Sequence, residues 1–521
     1  MARILVTEKL AESGLALMRD KGHEVVVSLG LDPESLIEAA REANAIIIRS
    51  ATKITAQVLE AALHLVVVGR AGIGLDNVDL EAATARGVMV VNAPESNIIS
   101  AAEHTIGLMI AQARNIPQAH ASVISGVWDR SKWEGVELFG KTLGIVGFGR
   151  VGALVASRAQ AFGMRTIAHD PYVSGERAKR LGVEMVTLEE LVAQADFITI
   201  HLPKTPETMG LFGKELLDKA KPGMRIINAA RGGVIDEEAL AEGIAAGRIG
   251  GAALDVFAKE PCTSSPLFEL PSVVVTPHLG ASTREAQDKA GMTIAEQVLL
   301  ALDGQYVPFA VNLPVRQVPE EAKPFLPLAE QLGRIFASLC EGIPDGLEIE
   351  YQGALSAADT GMLTLAVLKG VFTAGSEEPV SYVNAPKLAE ERGLDVRESK
   401  TSTTHDFVNL ISLRSKDHAV AGTLTGARGE PRLVMVDDHT VELPPATNML
   451  VIRNDDRPGM IGVVGTVIGN AGISISSMAV GPSLTGNTAL MVLSTDRPIG
   501  RDLLDTLRRA EGILDAHAVT S

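Results

Sequence analysis

The apolar run TLGIV ends in Gly147-Phe148-Gly149-Arg150-Val151-Gly152, three glycines at fixed spacing between a strand pattern and a helical one. A turn this tight lets backbone come close to a pyrophosphate. The helix that follows points its unpaired N–H groups and positive dipole end at the same place. The pattern alone is weak, so its surroundings decide its meaning. Asp170 lies 18 residues beyond Gly152, at the end of the next strand pattern RTIAHD, where a carboxylate accepts ribose hydroxyls. Pro171 and Tyr172 follow it, with no adjacent Arg to meet a 2′-phosphate, which favours NAD over NADP. The competing reading is a packing turn beside a solvated Asp.

The strand carrying these glycines belongs to a series. TLGIVGFG, RTIAHD, FITIHLP, RIINAARG, GAALDVF and VVVTPHLG predict six parallel strands separated by helices, a doubly wound α/β sheet. An earlier series, ARILVTE, EVVVS, AIIIRS, HLVVVG and VMVVN, predicts a smaller open α/β sheet of its own. A long helical pattern from Ser282 to Leu302 stops at Asp303-Gly304. Pro308, Pro314, Pro319, Pro324 and Pro327 then crowd a short stretch and predict a linker. A mixed α/β region follows as far as Pro444-Pro445. The last segment reads strand, helix, strand, strand, helix, strand, a ferredoxin-like order.

At 521 residues the chain is long enough for three to four domains. Its 64 acidic against 47 basic residues leave a formal net charge of −17, which argues against a broad nucleic-acid or anionic-membrane footprint. Any anion must be bound locally. With 3% aromatic residues the core falls to Val, Ile, Leu and Ala, which suits parallel sheets. Cys262 and Cys340 have no metal-ligand spacing and are too few for a disulfide framework. No apolar stretch reaches membrane-spanning length and no signal peptide is apparent, so a cytoplasmic protein without a metal is expected.

Three residues sit at strand ends of the larger sheet or just beyond them: Arg231 in NAARGG, Glu260 in LDVFAKE and His278 in VTPHLG. Carboxyl ends of such strands are where ligands bind. A His paired with a Glu can act as general acid and base, and an Arg can clamp a carboxylate through two hydrogen bonds. Together they suit hydride transfer on a 2-hydroxy acid. Each alone reads equally well as a surface arginine, a turn acid or a loop histidine. His104 and His120 fall on a helical pattern and read as packing or surface residues.

The runs VGRAGIGLDNVDLEAA, GIVGFGRVG, NAARGGVIDEEAL, GAALDVFAKEP and TPHLGAST make the chain resemble the long-form D-3-phosphoglycerate dehydrogenases, within the D-2-hydroxyacid dehydrogenase superfamily. The resemblance covers essentially the whole chain. It implies a Rossmann-type nucleotide domain over 97–283 and a flavodoxin-like substrate domain split between 1–96 and 284–312. An α+β intervening domain over 316–446 and an ACT domain over 447–521 complete the expected organisation. It implies Arg231 on the substrate carboxylate and oxygen, His278 as acid/base and Glu260 as its orienting partner. Cofactor contacts carried over by motif fall on Gly147, Gly149, Arg150, Val151, Gly152, Asp170, Ala229, Ala230, Asp255, Leu279, Gly280 and Ala281, with Ile73 of the GIG turn added.

The implied substrate, 3-phosphoglycerate, needs cations in spite of the acidic average. Arg49 with Ser50 and Arg70 end neighbouring strands, and Asn97 faces the same cleft by resemblance; Arg49 is expected nearest the phosphate. Arg130 and Lys132, near Trp128 and Trp133, form a second basic patch that by analogy reaches a neighbouring subunit. The ACT module of this family senses L-serine between paired copies. The matching positions here are Asn454, Asp456 and Ser474, where Ser474 replaces the amide of the family pattern and leaves fewer donors. The module is thus read either as an effector site or as a pairing element in a homo-oligomer. Two rival functions stand beside the dehydrogenase: a reductase of another 2-oxo acid such as 2-oxoglutarate, glyoxylate or hydroxypyruvate, and a non-catalytic NAD sensor or co-repressor.

Overall fold

The structure is a computed structural model that describes residues 1–313, 318–340, 342–344, 346–373, 380–404, 406–426, 428–437, 439–482 and 487–519. Four sheets organise it. Strands β1 (Arg3–Val6), β2 (Glu24–Val27), β3 (Ala45–Ile48), β4 (Val67–Arg70) and β5 (Met89–Asn92) form a parallel sheet in the order β2-β1-β3-β4-β5, the flavodoxin-like order. Every residue of β3 and β5 is buried, as parallel strands covered on both faces require.

One of those covers comes from far along the chain. The helix Arg284–Leu302 returns to this first sheet, capped by Thr283, whose Oγ1 accepts the Ala286 N–H at 3.2 Å. It crosses the helix Glu12–Asp20 where a Cβ on Gly14 would lie 2.6 Å from the Gly291 carbonyl oxygen, so the contact admits no side chain. Beyond it, Val311 N–H donates to the Val90 carbonyl and Asn312 is hydrogen-bonded to Val88 and Val90. The first lobe is therefore completed by chain that follows the second.

The second sheet holds β6 (Thr142–Val146), β7 (Arg165–His169), β8 (Glu184–Met185), β9 (Phe197–Ile200), β10 (Arg225–Asn228), β11 (Gly251–Leu254) and β12 (Val273–Val275), all parallel, in the order β12-β11-β10-β9-β6-β7-β8. This corrects the expected six strands to seven. The missed one, β8, is two residues long at the edge beside β7, too short to show any alternation. With it the order is the dinucleotide-binding one, and the chain reverses direction across the sheet between β6 and β9.

The proline-rich stretch is less of a linker than its composition suggested. Residues 314–317 lie outside the described residues, but Val318, Ala322 and Phe325 are buried and a helix already runs over Leu326–Leu339. Pro327 sits in its first turn, where no intrahelical N–H is needed. That helix and Gly361–Thr373 cover a six-stranded sheet made of β13 (Gly346–Gly353), β14 (Asp395–Thr401), β15 (Asn409–Arg414), β16 (Ala419–Thr425), β17 (Glu430–Val436) and β18 (His439–Leu443), in the order β14-β13-β15-β16-β17-β18. This third unit docks on the first lobe: Ser381 Oγ donates to the Gly87 carbonyl at 2.9 Å, and Lys369 Nζ to the Gly304 carbonyl at 3.0 Å.

The last sheet contains β19 (Met449–Asp455), β20 (Ile475–Pro482), β21 (Thr488–Thr495) and β22 (Ile513–Val519) in the antiparallel order β20-β21-β19-β22, with helices Met460–Asn470 and Arg501–Arg508. The ferredoxin-like order is as expected. No helix among the described residues is long and apolar enough to cross a membrane.

Candidate active site

The glycine loop satisfies the demands of a pyrophosphate cradle. Gly147 has φ +91°, in the left-handed region, and a Cβ there would lie 2.5 Å from the His201 carbonyl oxygen. Gly152 packs against the Gly147 carbonyl with no room for a Cβ, while Gly149 faces open space and caps the helix Arg150–Ala161. One side of the loop is therefore closed by protein and the other left for a ligand. Asp170 bridges the loop's far wall: its Oδ2 accepts the Phe148 N–H and its Oδ1 the Tyr172 N–H, at 2.8 and 2.9 Å. Lone pairs remain for ribose hydroxyls. The Arg150 side chain turns away to Glu95, 2.7 Å distant, and Val151 packs against the core beneath.

Between the two lobes lies a cleft of about 660 Å³ lined by Arg49, Ser50, Arg70, Asn97, Glu260, His278 and Ala281 among others. His278 holds φ +58°, with its N–H donated to the carbonyls of Asp255 and Thr276. Its Nδ1 is 2.7 Å from Glu260 Oε2, and Glu260 Oε1 accepts the Phe257 N–H at 3.0 Å. A carboxylate only accepts, so Nδ1 carries a proton and Nε2 is the nitrogen left for a ligand.

The arginines are arranged against their own repulsion. Burial, then the neighbouring Arg231 guanidinium, push Arg70 below the usual guanidinium range, with Asp76 and Glu8 offsetting part of this and Arg49 adding to it. Arg70 Nε is buried without a hydrogen-bond partner, as is Asn97 Oδ1. Crowded cations and an unsatisfied guanidinium N–H in one cleft favour a multiply charged anionic ligand, while Asn97 Oδ1 is left for a donor. Arg231 neighbours the cleft-lining Arg70, with its Nε 3.8 Å from Asp76 Oδ2 and its Nη1 donating to the Ala230 carbonyl. The GIG turn makes this possible, since a Cβ on Gly74 would lie 2.6 Å from Arg231 Nη2 and one on Gly72 would strike Arg70. Ile73 contributes its carbonyl to Asn92 Nδ2. Asn228 fixes the Ala229 to Arg231 loop by accepting the Ala230 N–H and donating to the Arg231 carbonyl.

Glu8 escaped the sequence reading, and His104 was read there only as a packing or surface residue. Glu8, at the end of β1, accepts the N–H groups of Arg49 and Thr52 on one oxygen and of Ala51 on the other, at 2.8, 2.9 and 3.2 Å. It shapes the loop that carries Arg49 and Ser50. His104 is packed, as its helical placement suggested, but its Nε2 is 3.2 Å from Asp255. Asp255 is wholly buried and both its oxygens are engaged by protein, which differs from a plain cofactor contact: they accept from Thr276 Oγ1 and from the N–H groups of Leu279 and Gly280. Neither signal was visible beforehand, because the partners are far apart in sequence.

The three effector positions are not brought together within one chain. Asn454 pairs with Ala489, whereas Ile475, next to Ser474, pairs with Thr495 at the other end of the sheet, roughly 20 Å along the strand. Asn454 is buried, with Nδ2 on the Asp455 carbonyl and Oδ1 unpaired; the Asp456 N–H donates to the Asn487 carbonyl and the Ser474 N–H to Asp496.

Residues 106–280 match the family described as D-isomer specific 2-hydroxyacid dehydrogenase, NAD binding domain; 321–437 match the D-3-phosphoglycerate dehydrogenase intervening domain, and 448–512 the ACT domain. Over 512 residues, 97% of each chain, the sequence is 47% identical to the protein named D-3-phosphoglycerate dehydrogenase from Mycobacterium tuberculosis. The chain belongs to the D-3-phosphoglycerate dehydrogenase family. A relative of the same name from Archaeoglobus fulgidus is 43% identical over 523 residues, 99% of each chain. Among solved structures, D-lactate dehydrogenase from Escherichia coli aligns with TM-score 0.55 and 28% identity, over 60% of this chain and 100% of that one. An NAD-dependent formate dehydrogenase from Staphylococcus aureus in complex with NAD aligns with TM-score 0.53 and 30% identity, over 59% and 97%. NAD is the cofactor of this family member.

Proposed function

We propose that this family member oxidises 3-phospho-D-glycerate to 3-phosphohydroxypyruvate with NAD, the first step of the phosphorylated route to L-serine. The observation that carries the reading is the His278–Glu260 pair opening on the same cleft as Arg49 and Arg70. In our account Gly147, Gly149 and Gly152 hold the NAD pyrophosphate and Asp170 the ribose. NAD bound there would supply the acceptor for the hydride that leaves C2 of the substrate. His278 Nε2 accepts the hydroxyl proton as the carbonyl forms, and Glu260 stabilises the imidazolium that results. Arg231 clamps the substrate carboxylate, a task for which a bidentate guanidinium is suited. Arg49, Arg70, Ser50 and Asn97 receive the 3-phosphate, with Arg49 nearest to it.

We take the lobes to divide as 1–96 with 284–312 for substrate and 97–283 for NAD, followed by 316–446 and 447–521. The C-terminal module serves regulation; L-serine as its ligand, bound between copies, fits the separation of Asn454 from Ser474. Calorimetry with millimolar L-serine on the full chain tests this, and an absence of heat leaves pairing alone. Following NADH absorbance with 3-phospho-D-glycerate, D-glycerate, D-2-hydroxyglutarate and glycolate tests the substrate. Turnover on the phosphorylated acid above all others is expected; a preference for an unphosphorylated acid would transfer the assignment to the 2-oxo acid reductases, and none at all to a sensor.

A further inference from the structure

The helix Ile98–Ala113 begins directly after Asn97 of the cleft and runs beneath the loop that carries His278. Along one face, three of its polar side chains, at positions 100, 104 and 112, reach the strand end and loop beside it. Ser100 Oγ is 2.7 Å from Thr283 Oγ1, the cap of the return helix; Gln112 Nε2 donates to the Ser272 carbonyl at 3.3 Å. Between them His104 Nε2 is 3.2 Å from both Asp255 Oδ1 and Thr276 Oγ1. Asp255 carries no solvent exposure, and Thr276 Oγ1 donates to it at 2.6 Å. The remaining capacity of that carboxylate goes to the N–H groups of Leu279 and Gly280, at 2.7 and 2.8 Å. These two amides immediately follow His278, whose own N–H donates to the Asp255 backbone carbonyl.

The roles of the ring atoms follow from the partners. The Thr276 hydroxyl spends its hydrogen on Asp255, so toward His104 both of its neighbours can only accept, and Nε2 bears the hydrogen. A buried carboxylate that gathers donors from a helix and a strand end, and gathers the two loop amides as well, fixes the loop relative to that helix. Without the imidazole donor the carboxylate keeps its burial cost and loses one of its four donors. The left-handed turn at His278 then loses part of what holds it.

We propose that His104 is a positioning residue for the reaction: through Asp255 it holds the 279–280 backbone, and thereby the orientation of His278 toward Glu260 and substrate. This rests on the reading of His278 as the acid/base. His104 touches neither substrate nor cofactor in this account. Its effect therefore falls on kcat rather than on the KM for 3-phosphoglycerate, because a loop misplaced by a fraction of an ångström harms the reacting geometry more than ground-state binding.

The test compares His104→Leu, His104→Gln and His104→Asn in the full chain. Gln can place an N–H donor where Nε2 stands; Asn is too short. The Leu and Asn variants should lose roughly tenfold in kcat with KM for 3-phosphoglycerate within about threefold of wild type, and Gln should regain most of the loss. Hydrogen exchange of the peptide spanning 276–281, followed by mass spectrometry, should quicken in Leu and Asn and stay slow in Gln. A kcat in Leu and Asn within about twofold of wild type overturns the proposal, and so does a Gln variant as slow as Asn. Should the Leu variant fail to fold, the Gln and Asn pair still decides. If the wild-type protein itself does not oxidise 3-phosphoglycerate, the substrate reading fails, whereas the exchange experiment still tests the link from His104 to the loop.

Discussion

Nδ1 of His278 lies 2.7 Å from Oε2 of Glu260, while the other oxygen of that carboxylate is anchored by the Phe257 N–H. The carboxylate is thus oriented before the imidazole needs it. A positioned base of this kind contributes about 10²- to 10⁴-fold to a proton transfer. His278→Gln should lower kcat by at least about a hundredfold with the KM for NAD little changed, measured by initial rates of NADH formation. Glu260→Gln keeps the shape but removes the charge that stabilises the imidazolium, so a loss of roughly tenfold or more in kcat is expected. An unchanged kcat would remove Glu260 from that role.

Arg49 and Arg70 face one cleft, and Arg70 is held there at an electrostatic cost that a bound anion relieves. Arg49→Glu should raise the KM for 3-phosphoglycerate far more than the KM for D-glycerate, by a factor of roughly ten or more, since a charge-assisted bond to phosphate contributes about 1.5–3 kcal/mol. Equal effects on both substrates would end the assignment of Arg49 to the phosphate.

Glu8 carries the same sign of charge as the ligand it helps to bind. Its hydrogen bonds to the N–H groups of Arg49, Ala51 and Thr52 shape the phosphate loop. Glu8→Gln retains one acceptor oxygen, whereas Glu8→Ala retains none. We expect the KM for 3-phosphoglycerate to rise in the order wild type, Gln, Ala, with kcat changing less. A fall in KM in both variants would mean that repulsion of the phosphate outweighs loop shaping.

Burial pushes the His201 imidazole down to about 4, and its Nε2 is 3.0 Å from Thr199 Oγ1. The ordinary imidazole value is about 6.5, so between these two pH values the unfolded chain binds more protons than the folded one. Stability is accordingly full above about pH 6.5 and falls as the pH drops toward 4, by up to about 3 kcal/mol from this group. The residue keeps part of its surface in water, which makes that figure an upper bound. His201→Gln should flatten the Tm against pH curve between pH 4 and 6.5; a slope identical to wild type would assign the acid sensitivity to other groups.

The parts of the fold legible in the sequence were those with local signatures. Parallel strands such as Ala45–Ile48 are buried on both faces and announce themselves as continuous apolar runs, and the glycine loop must use glycine at Gly147 and Gly152 for steric reasons. Glu184–Met185 is too short to carry a pattern. Glu8 and the link from His104 to Asp255 were not legible because these side chains act on backbone amides and a buried acid 41 to 151 residues away, contacts that exist only after the lobes have folded. The proline count suggested a linker over Pro308 to Pro327 because composition cannot show that Val318 and Phe325 are buried beside the first turn of a helix.

The central claim is a hydride moving from C2 of 3-phosphoglycerate to NAD with His278 taking the proton. Incubating the protein with NAD and 3-phospho-D-glycerate deuterated at C2, then weighing the dinucleotide by mass spectrometry, tests it most directly. The account predicts NADH one mass unit heavier than that from unlabelled substrate; reduced dinucleotide without the label, or none formed at all, would contradict it.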